Sequence, residues 1–143
     1  MIGEAARGIT VARGVLEAVI DHARREAPIE CCGFLIGTPS RVDRIAPMTN
    51  IAFSQVRFLV DPREHIALAK HLRGTGLEIV GAYHSHPRTA AEPSPTDVAE
   101  AYYSELVYVI VSLADPAAAE VRAYRIQGSR VTPIALVSER SIS

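Results

Sequence analysis

The apolar run LVYVIVSL, residues 106–113, limits the possible folds more than any other segment of this chain. Its residues are almost all hydrophobic and several are β-branched, which is typical of a buried strand. A second run of this kind, CCGFLIG, covers residues 31–37 and is bounded by Gly37 and Pro39. Buried strands need other layers to cover them, so we predict a sheet with helices packed on its faces.

Two amphipathic segments are predicted to form the principal helices. GVLEAVIDHARREAP, residues 14–28, repeats its apolar side chains at helical spacing and ends in a proline. DPREHIALAKHLRGTG, residues 61–76, begins with an N-cap, a proline and an acid placed for a capping box, and it ends in glycines. These signals are Asp61, Pro62, Glu64, and Gly74 or Gly76.

Further strands and one short helix are predicted to complete the domain. The strands are RVDRIAPMTN (41–50), VRFLV (56–60), LEIVGAYHSH (77–86), EVRAYRIQ (120–127) and RVTPIALV (130–137), and the helix is SPTDVAEAYY (94–103). Helices alternate with strands early and strands close the chain, so we predict an α/β sandwich with a mixed central sheet. We expect one domain over 1–143, with its core at about 8–136 and a frayed polar tail at 137–143.

Charge and cysteine content restrict the environment and the partners. The formal net charge is -1 with no basic run, so neither nucleic acid nor a membrane surface is an expected partner. We find no signal-peptide pattern at the N-terminus and no apolar run long enough to cross a bilayer. Cys31 and Cys32 are adjacent, which excludes a disulfide framework, so we expect a cytoplasmic protein.

The segment GAYHSHPRTAAEPSPTDVAEA, residues 81–101, contains the strongest functional signal. Taken alone, Ser94 and Asp97 are a capping box for a helix with proline at its first position. His84 and His86 lie two apart in a predicted strand, so both imidazoles point to the same face. If the helix begins beside the strand end, Asp97 joins them. Two imidazoles and one carboxylate leave a fourth position for water, the arrangement of catalytic rather than structural zinc.

This motif resembles that of the JAMM metalloproteases, the catalytically competent MPN+ domains. The matching residues are His84-x-His86, then Ser94 and Asp97, with Glu30 in PIECCGFLIG at the place of the family's glutamate. The order of predicted elements matches the family from about residue 8 to residue 136. The resemblance implies a single-domain MPN/JAMM sandwich, which is cytidine-deaminase-like, with a mixed central sheet flanked by helices.

Five further segments are similar to the small bacterial branch of that family: PMTN, RFLVDP, YHSHP, PSPTDV and YRI. The resemblance implies a peptidase that acts on a ubiquitin-fold sulfur-carrier protein after its C-terminal Gly-Gly. The product would be an amino acid, such as cysteine in cysteine biosynthesis, or a short extension. The chain has little room for the insertions that hold ubiquitin chains in eukaryotic members. A homodimer is compatible with this branch.

The resemblance also assigns roles to the site residues. His84, His86 and Asp97 would hold one zinc ion per chain, and Glu30 would act as general base and acid. The Ser94 hydroxyl would stabilise the oxyanion. Cys32 points to the same side as Glu30, so at most it would contact the metal ligands without binding the metal itself. Both cysteines are otherwise expected to be small buried hydrophobes.

Several alternatives stay open at this point. One is a non-catalytic MPN scaffold, although that class has lost ligands that are all present here. Another is an isopeptidase that removes ubiquitin-like modifiers from lysine side chains, as archaeal members do. A purely structural zinc site is disfavoured because such sites usually have four protein ligands. We expect QVRFLV (55–60) and the loop 87–93 to form walls of the substrate groove, and we assign no site role to His22, His65, His71, Asp61 or Glu92.

Overall fold

A mixed eight-stranded sheet forms the centre of the computed structural model, which describes residues 8–139. The helices are α1 (Val15–Glu26), α2 (Pro62–Leu72) and α3 (Pro95–Ala99). The strands are β1 (Ile9–Val11), β2 (Cys32–Thr38), β3 (Arg41–Met48), β4 (Glu78–His86), β5 (Val107–Ser112), β6 (Glu120–Gln127), β7 (Arg130–Ile134) and β8 (Leu136–Ser138). Their order across the sheet is β7-β6-β5-β4-β2-β3-β1-β8.

The strands predicted from their apolar runs lie in the middle of this sheet. β4 is antiparallel to β2 on one side and parallel to β5 on the other. Six of the seven residues of β2 are buried, as are five of the six residues of β5, because helices and neighbouring segments cover both faces. The predicted α/β sandwich with a mixed central sheet is therefore confirmed. Within residues 8–139 no helix is long and apolar enough to span a bilayer.

The two faces of the sheet pack against different apolar clusters. On one face α1 places Val19 against Leu35 and Tyr83, among other residues of the largest cluster. On the opposite face Leu72 of α2 packs with Phe34 and Ile36 of β2, residues that alternate with those facing α1. Since side chains alternate along β4 as well, His84 and His86 lie on the face opposite Tyr83.

The segment VRFLV is not the strand that its composition predicts. Residues 51–59 form a loop, and only Val60 makes a strand-like pairing, with Asn50. β2 already has β3 and β4 as its two neighbours, so no edge of that strand is left for another partner. Strand propensity describes how a side chain fits a sheet surface, and it does not supply a pairing partner.

The predicted strand RVTPIALV is divided into two. β7 pairs with β6 at one end of the strand order, and β8 pairs with β1 at the other. A single residue, Ala135, separates them, so this segment joins the two ends of the sheet. β1 has only three residues and was not predicted from the sequence.

The predicted starts of α2 and α3 are both confirmed, although the side chain of Glu64 does not act as predicted. The Asp61 carboxylate caps α2 by accepting the N–H of Arg63. Glu64 does not complete a capping box there. It accepts the backbone N–H and the hydroxyl of Thr49 at 2.6 and 2.9 Å, which anchors α2 to the end of β3. α3 is shorter than predicted and ends at Ala99.

The tail predicted to fray from residue 137 is ordered at its beginning. β8 continues to Ser138, and Glu139 forms an ion pair with Arg41 at the start of β3. The prediction of a frayed tail is therefore wrong for 137–139. Residues 140–143, like residues 1–7, lie outside the described part of the chain.

A buried histidine on α1 predicts a loss of stability in mild acid. Nδ1 of His22 lies 2.7 Å from the hydroxyl of Tyr83, and burial lowers the pKa of His22 below its ordinary value of 6.5, outweighing the nearby Glu26 charge. Below about pH 6.5 the unfolded chain then binds more protons than the folded one, so the free energy of unfolding falls as pH decreases.

We expect His22→Gln, which cannot titrate but can bond the same hydroxyl, to lose less of its melting temperature between pH 7 and pH 5 than the wild type. In terms of the free energy of unfolding, the two proteins are expected to diverge by at most about 1.4 kcal/mol for each pH unit. His71→Gln, at an exposed position of α2, is the control and is expected to follow the wild type. If the melting temperatures of His22→Gln and the wild type fall in parallel between pH 7 and pH 5, His22 is not the source of the acid sensitivity.

Candidate active site

Three side chains predicted as metal ligands converge on one point. Nε2 of His84 and Nε2 of His86 are 3.2 Å apart, and Oδ2 of Asp97 lies 3.1 and 3.0 Å from them. A tetrahedral ion with bonds of about 2.0–2.1 Å needs ligand atoms roughly 3.3 Å apart. The three atoms thus fit a metal ion of this size, with a fourth position open. Elsewhere in residues 8–139 no comparable cluster of metal-binding side chains occurs.

The central strand aims the two histidines. His84 pairs with Cys32 of β2 in the ladder, and both histidine side chains are almost completely buried. Nδ1 of His86 donates to the carbonyl of Ala90 at 2.8 Å. A carbonyl only accepts, so Nδ1 carries a proton, and this bond turns Nε2 of the ring towards the site. The ring of Phe58 stacks on His84 with centroids 4.6 Å apart.

The loop 87–93 returns the chain from the histidine strand to Asp97. Three consecutive carbonyls of this loop accept hydrogen bonds from side chains. Ser112 donates to Thr89, His86 to Ala90 and Tyr124 to Ala91. These hydrogen bonds hold the loop against the sheet. The loop was predicted to form a groove wall, but its residues do not line the cleft that opens beside the metal ligands.

Ser94 and Asp97 begin α3 and also take part in the site. The Ser94 hydroxyl accepts the N–H of Asp97 at 3.0 Å, and Oδ2 of Asp97 accepts the N–H of Ser94 at 2.9 Å. Burial alone would raise the pKa of Asp97, but its bonds to the two histidines and to Ser94 hold that pKa far below its usual range. The carboxylate is therefore ionised at neutral pH, as a metal ligand must be.

Glu30 lies two residues before the start of β2 and is only 4% exposed. Its Oε1 atom is buried and has no hydrogen-bond partner within the described structure. Burial raises the pKa of Glu30 to about 7, with His86 opposing the shift and Asp97 adding to it. A carboxyl group with this pKa gains or releases a proton readily at neutral pH, and its orphaned oxygen is free for a water or a substrate atom.

Cys32 lies on the same side of the sheet as His84, its ladder partner. Its Sγ atom is 4.0 Å from the carbonyl of Met48 and is not among the converging ligand atoms. Burial raises the pKa of Cys32 to about 12 and that of Cys31 to about 11. Both residues are uncharged buried thiols, as expected from the sequence.

A cleft of about 450 Å³ runs along the same face of the sheet, and a smaller one beside it reaches His84 and Asp97. Phe58 and Tyr108 line both clefts. One wall comes from Phe58, Leu59 and Val60, which agrees with the prediction for 55–60. The other wall comes from the segment after α3, including Tyr102 and Tyr103, which the sequence analysis did not identify.

The fold agrees with the comparisons to known proteins. Residues 12–127 match the family described as prokaryotic homologs of the JAB domain. The match covers most of the chain, so this protein belongs to that family. A JAB1/MPN domain protein from Archaeoglobus fulgidus has the same fold, with a TM-score of 0.63 at 19% identity over 92% of this chain and 98% of that one.

The chain is similar over nearly its whole length to the CysO-cysteine peptidase of Mycobacterium tuberculosis, with 36% identity over 135 residues and 92% coverage of both. It is 40% identical over 101 residues to a probable TtuB-protein conjugate cleaving protease of Thermus thermophilus, covering 70% of this chain and 67% of that one. A desampylase of Haloferax volcanii is 32% identical over 111 residues, covering 73% and 80%. The solution structure of a Desulfitobacterium hafniense protein superposes with a TM-score of 0.85 at 33% identity, covering 94% of each chain.

Proposed function

We propose that this protein is a zinc-dependent peptidase that cleaves after the C-terminal Gly-Gly of a ubiquitin-fold sulfur-carrier protein. It would release an amino acid, such as cysteine, or a short extension. The observation that carries the proposal is the three-ligand cluster together with the buried Glu30, whose Oε1 atom has no hydrogen-bond partner in the described structure. The relative that matches 92% of the chain is a CysO-cysteine peptidase, which supports this substrate class. The buried free cysteines agree with a reducing cytoplasm.

His84, His86 and Asp97 would hold the zinc ion, which supplies Lewis acidity and lowers the pKa of a water molecule from 15.7 towards about 7. Glu30 accepts the proton of the attacking water and then delivers it to the nitrogen of the leaving amine. Its pKa of about 7 suits both steps, because neither protonation state is strongly disfavoured at neutral pH. Water attacks directly, so no residue of the chain becomes acylated.

The Ser94 hydroxyl already accepts the N–H of Asp97, and its own proton remains available to stabilise an oxyanion. We expect Ser94→Ala to lower kcat by about a hundred- to a thousandfold while the metal stays bound. The variant also loses a helix cap, which costs about 1 kcal/mol of stability. Steady-state kinetics, metal content and thermal denaturation measure the three quantities.

Asp61→Ala is the matched control, because it removes the corresponding cap of α2 outside the site. It is expected to lose similar stability and to keep the wild-type kcat. If Ser94→Ala and Asp61→Ala both keep wild-type turnover, Ser94 is a helix cap only.

The cleft between residues 58–60 and the segment after α3 supports an extended substrate tail leading to the ligands. Its smaller continuation beside His84 is lined by Phe58, Tyr108 and Ile110. Such a narrow, apolar approach favours residues without side chains, which agrees with Gly-Gly before the scissile bond. The same geometry also admits an isopeptide linkage to a lysine side chain, and the relatives named as conjugate-cleaving protease and desampylase favour this second candidate.

Intact mass spectrometry separates these candidates. The substrates are ubiquitin-fold sulfur carriers that end in Gly-Gly followed by cysteine, by a peptide, or by an isopeptide-linked lysine, each incubated with and without a chelator. Chelator-sensitive loss of the linear extension supports the peptidase, and cleavage of the lysine conjugate alone supports the isopeptidase. A protein that retains its metal and cleaves none of the carriers is not a protease of this class. A protein that binds no metal is a scaffold.

A further inference from the structure

The backbone around Glu30 is held from three sides. Its N–H donates to the carbonyl of Ser54 at 2.9 Å, and its own carbonyl accepts Nδ2 of Asn50 at 2.9 Å. The following N–H, of Cys31, donates to Oγ of the fully buried Ser85 at 2.7 Å. The Glu30 carboxylate has an oxygen without any such partner, so the position of this side chain depends on its backbone.

Asn50 uses the whole hydrogen-bonding capacity of its buried amide. Nδ2 donates to the carbonyls of Glu30 and Arg57, and Oδ1 accepts the N–H groups of Ala52 and Leu59, all at 2.9–3.1 Å. Carbonyls only accept and N–H groups only donate, so a single orientation of the amide satisfies all four partners. One side chain thus joins the loop 51–59 at three places and connects it to Glu30.

Besides the Asn50 side chain, backbone hydrogen bonds such as Ile51 N–H to Leu59 and Glu30 N–H to Ser54 hold the loop 51–59, which faces the site. Phe53 and Val56 are 72% and 80% exposed, so they contribute little to holding the loop. Phe58 extends from the same loop to stack on His84 and lines both clefts. Asn50 is therefore a support common to the loop conformation, the groove wall and the Glu30 backbone.

We propose that Asn50 is a positioning residue that acts through Glu30, coupling the groove loop 51–59 to the proton-transfer carboxylate. This inference rests on the proposed function, because it assigns Glu30 that role. Asn50 itself lines neither cleft and is not among the converging ligand atoms, and it reaches the proton-transfer residue through the carbonyl of Glu30. A displacement of a reacting group by about 1 Å can cost a hundredfold in rate.

The test is the kinetics of Asn50→Ala on a sulfur carrier with a peptide extension after Gly-Gly. We expect kcat to fall about ten- to a hundredfold, as for residues that orient a catalytic group, with one metal ion per chain retained. Combined with Glu30→Gln, Asn50→Ala is expected to cause no further loss of rate, since both act on the same proton transfer. Thr75→Ala is the matched control, because its hydroxyl also ties a loop through the carbonyl of Leu72 and the N–H of Leu77. It is expected to keep the wild-type kcat.

Three results would overturn the inference: an unchanged kcat in Asn50→Ala, a rise in KM alone, or a full additional loss in the double variant. If Asn50→Ala does not fold, Asn50→Asp replaces it, and its kcat is compared alone and in combination with Glu30→Gln. Aspartate keeps the accepting oxygen and loses the bond to the Glu30 carbonyl. A wild-type kcat in Asn50→Asp overturns the coupling, and a loss that vanishes in the Glu30→Gln background supports it.

Amide hydrogen exchange separates this inference from the proposed function. We expect the N–H groups of Glu30 and Leu59 to exchange at least tenfold faster in Asn50→Ala, whereas amides of β5 keep their protection. If the wild type cleaves no carrier, the proposed function fails. The exchange data still test whether Asn50 connects the loop 51–59 to the backbone of Glu30. Unchanged exchange at Glu30 in a folded Asn50→Ala protein would falsify this connection.

Discussion

Replacing Glu30 with glutamine is expected to abolish most turnover and to leave the metal in place. Glu30 is 4% exposed and its Oε1 atom has no hydrogen-bond partner in the described structure. Its pKa of about 7 suits it to carry a proton from water to the leaving amine. Glutamine has nearly the same shape and cannot accept that proton. General acid–base catalysis contributes about a hundred- to ten thousandfold, so kcat should fall by this factor. Single-turnover kinetics and elemental analysis of the purified variant measure both quantities.

Glu78→Gln is the matched control for this experiment. Glu78 lies at the exposed beginning of β4, the strand that ends in the two histidines, so the same change is made far from the ligands. It should leave kcat within about twofold of the wild type, as expected for surface substitutions away from special features. If Glu30→Gln retains near wild-type turnover, Glu30 is not the general base.

Replacing His84 or Asp97 with alanine is expected to remove both the metal and the activity. Three protein atoms within 3.2 Å of one another form the entire ligand set, so each variant leaves only two. Catalytic zinc sites generally use three protein ligands, so we expect a site with only two to lose the ion during dialysis. We expect the metal content to fall from one ion per chain to nearly none, with a matching loss of kcat. Chelation of the wild type should have the same effect, and added zinc should reverse it.

His71→Ala controls for the loss of an imidazole, because His71 is exposed on α2 and lies outside the cluster. Asp97→Ala also removes the acceptor for the N–H of Ser94, so its melting temperature is expected to fall even when no metal is added. Full metal occupancy in either ligand variant would show that the ion binds elsewhere.

The parts of the fold that the sequence predicted are those defined by local physics. β2 and β5 were predicted because continuous apolar runs leave no exposed face, and α2 because Asp61 and Pro62 set its start within a few residues. The metal site was predicted because the two-residue strand period and the helix cap lie within one short segment. Glu30 was assigned only through the family motif, since nothing in its own neighbourhood distinguishes it from a surface acid.

The parts that could not be predicted depend on contacts distant in sequence. Asn50 looks like an ordinary polar residue after β3, yet its side-chain amide forms hydrogen bonds with Glu30 and with three residues of the loop 51–59. The sequence shows neither the stacking of Phe58 on His84 nor the wall formed by Tyr102 and Tyr103. Such arrangements arise only after the sheet has brought these segments together.

The strand order has a consequence for biosynthesis. β1, near the start of the chain, lies between β3 and β8, so one of its two neighbours is among the last residues described. During translation β2 to β6 can pair before the last strands are made, but β1 has only β3 beside it until residues 136–138 have emerged from the ribosome. Its unpaired backbone groups are exposed during that interval, and such groups invite association between nascent chains. The protein is therefore expected to complete its sheet only after synthesis of β8.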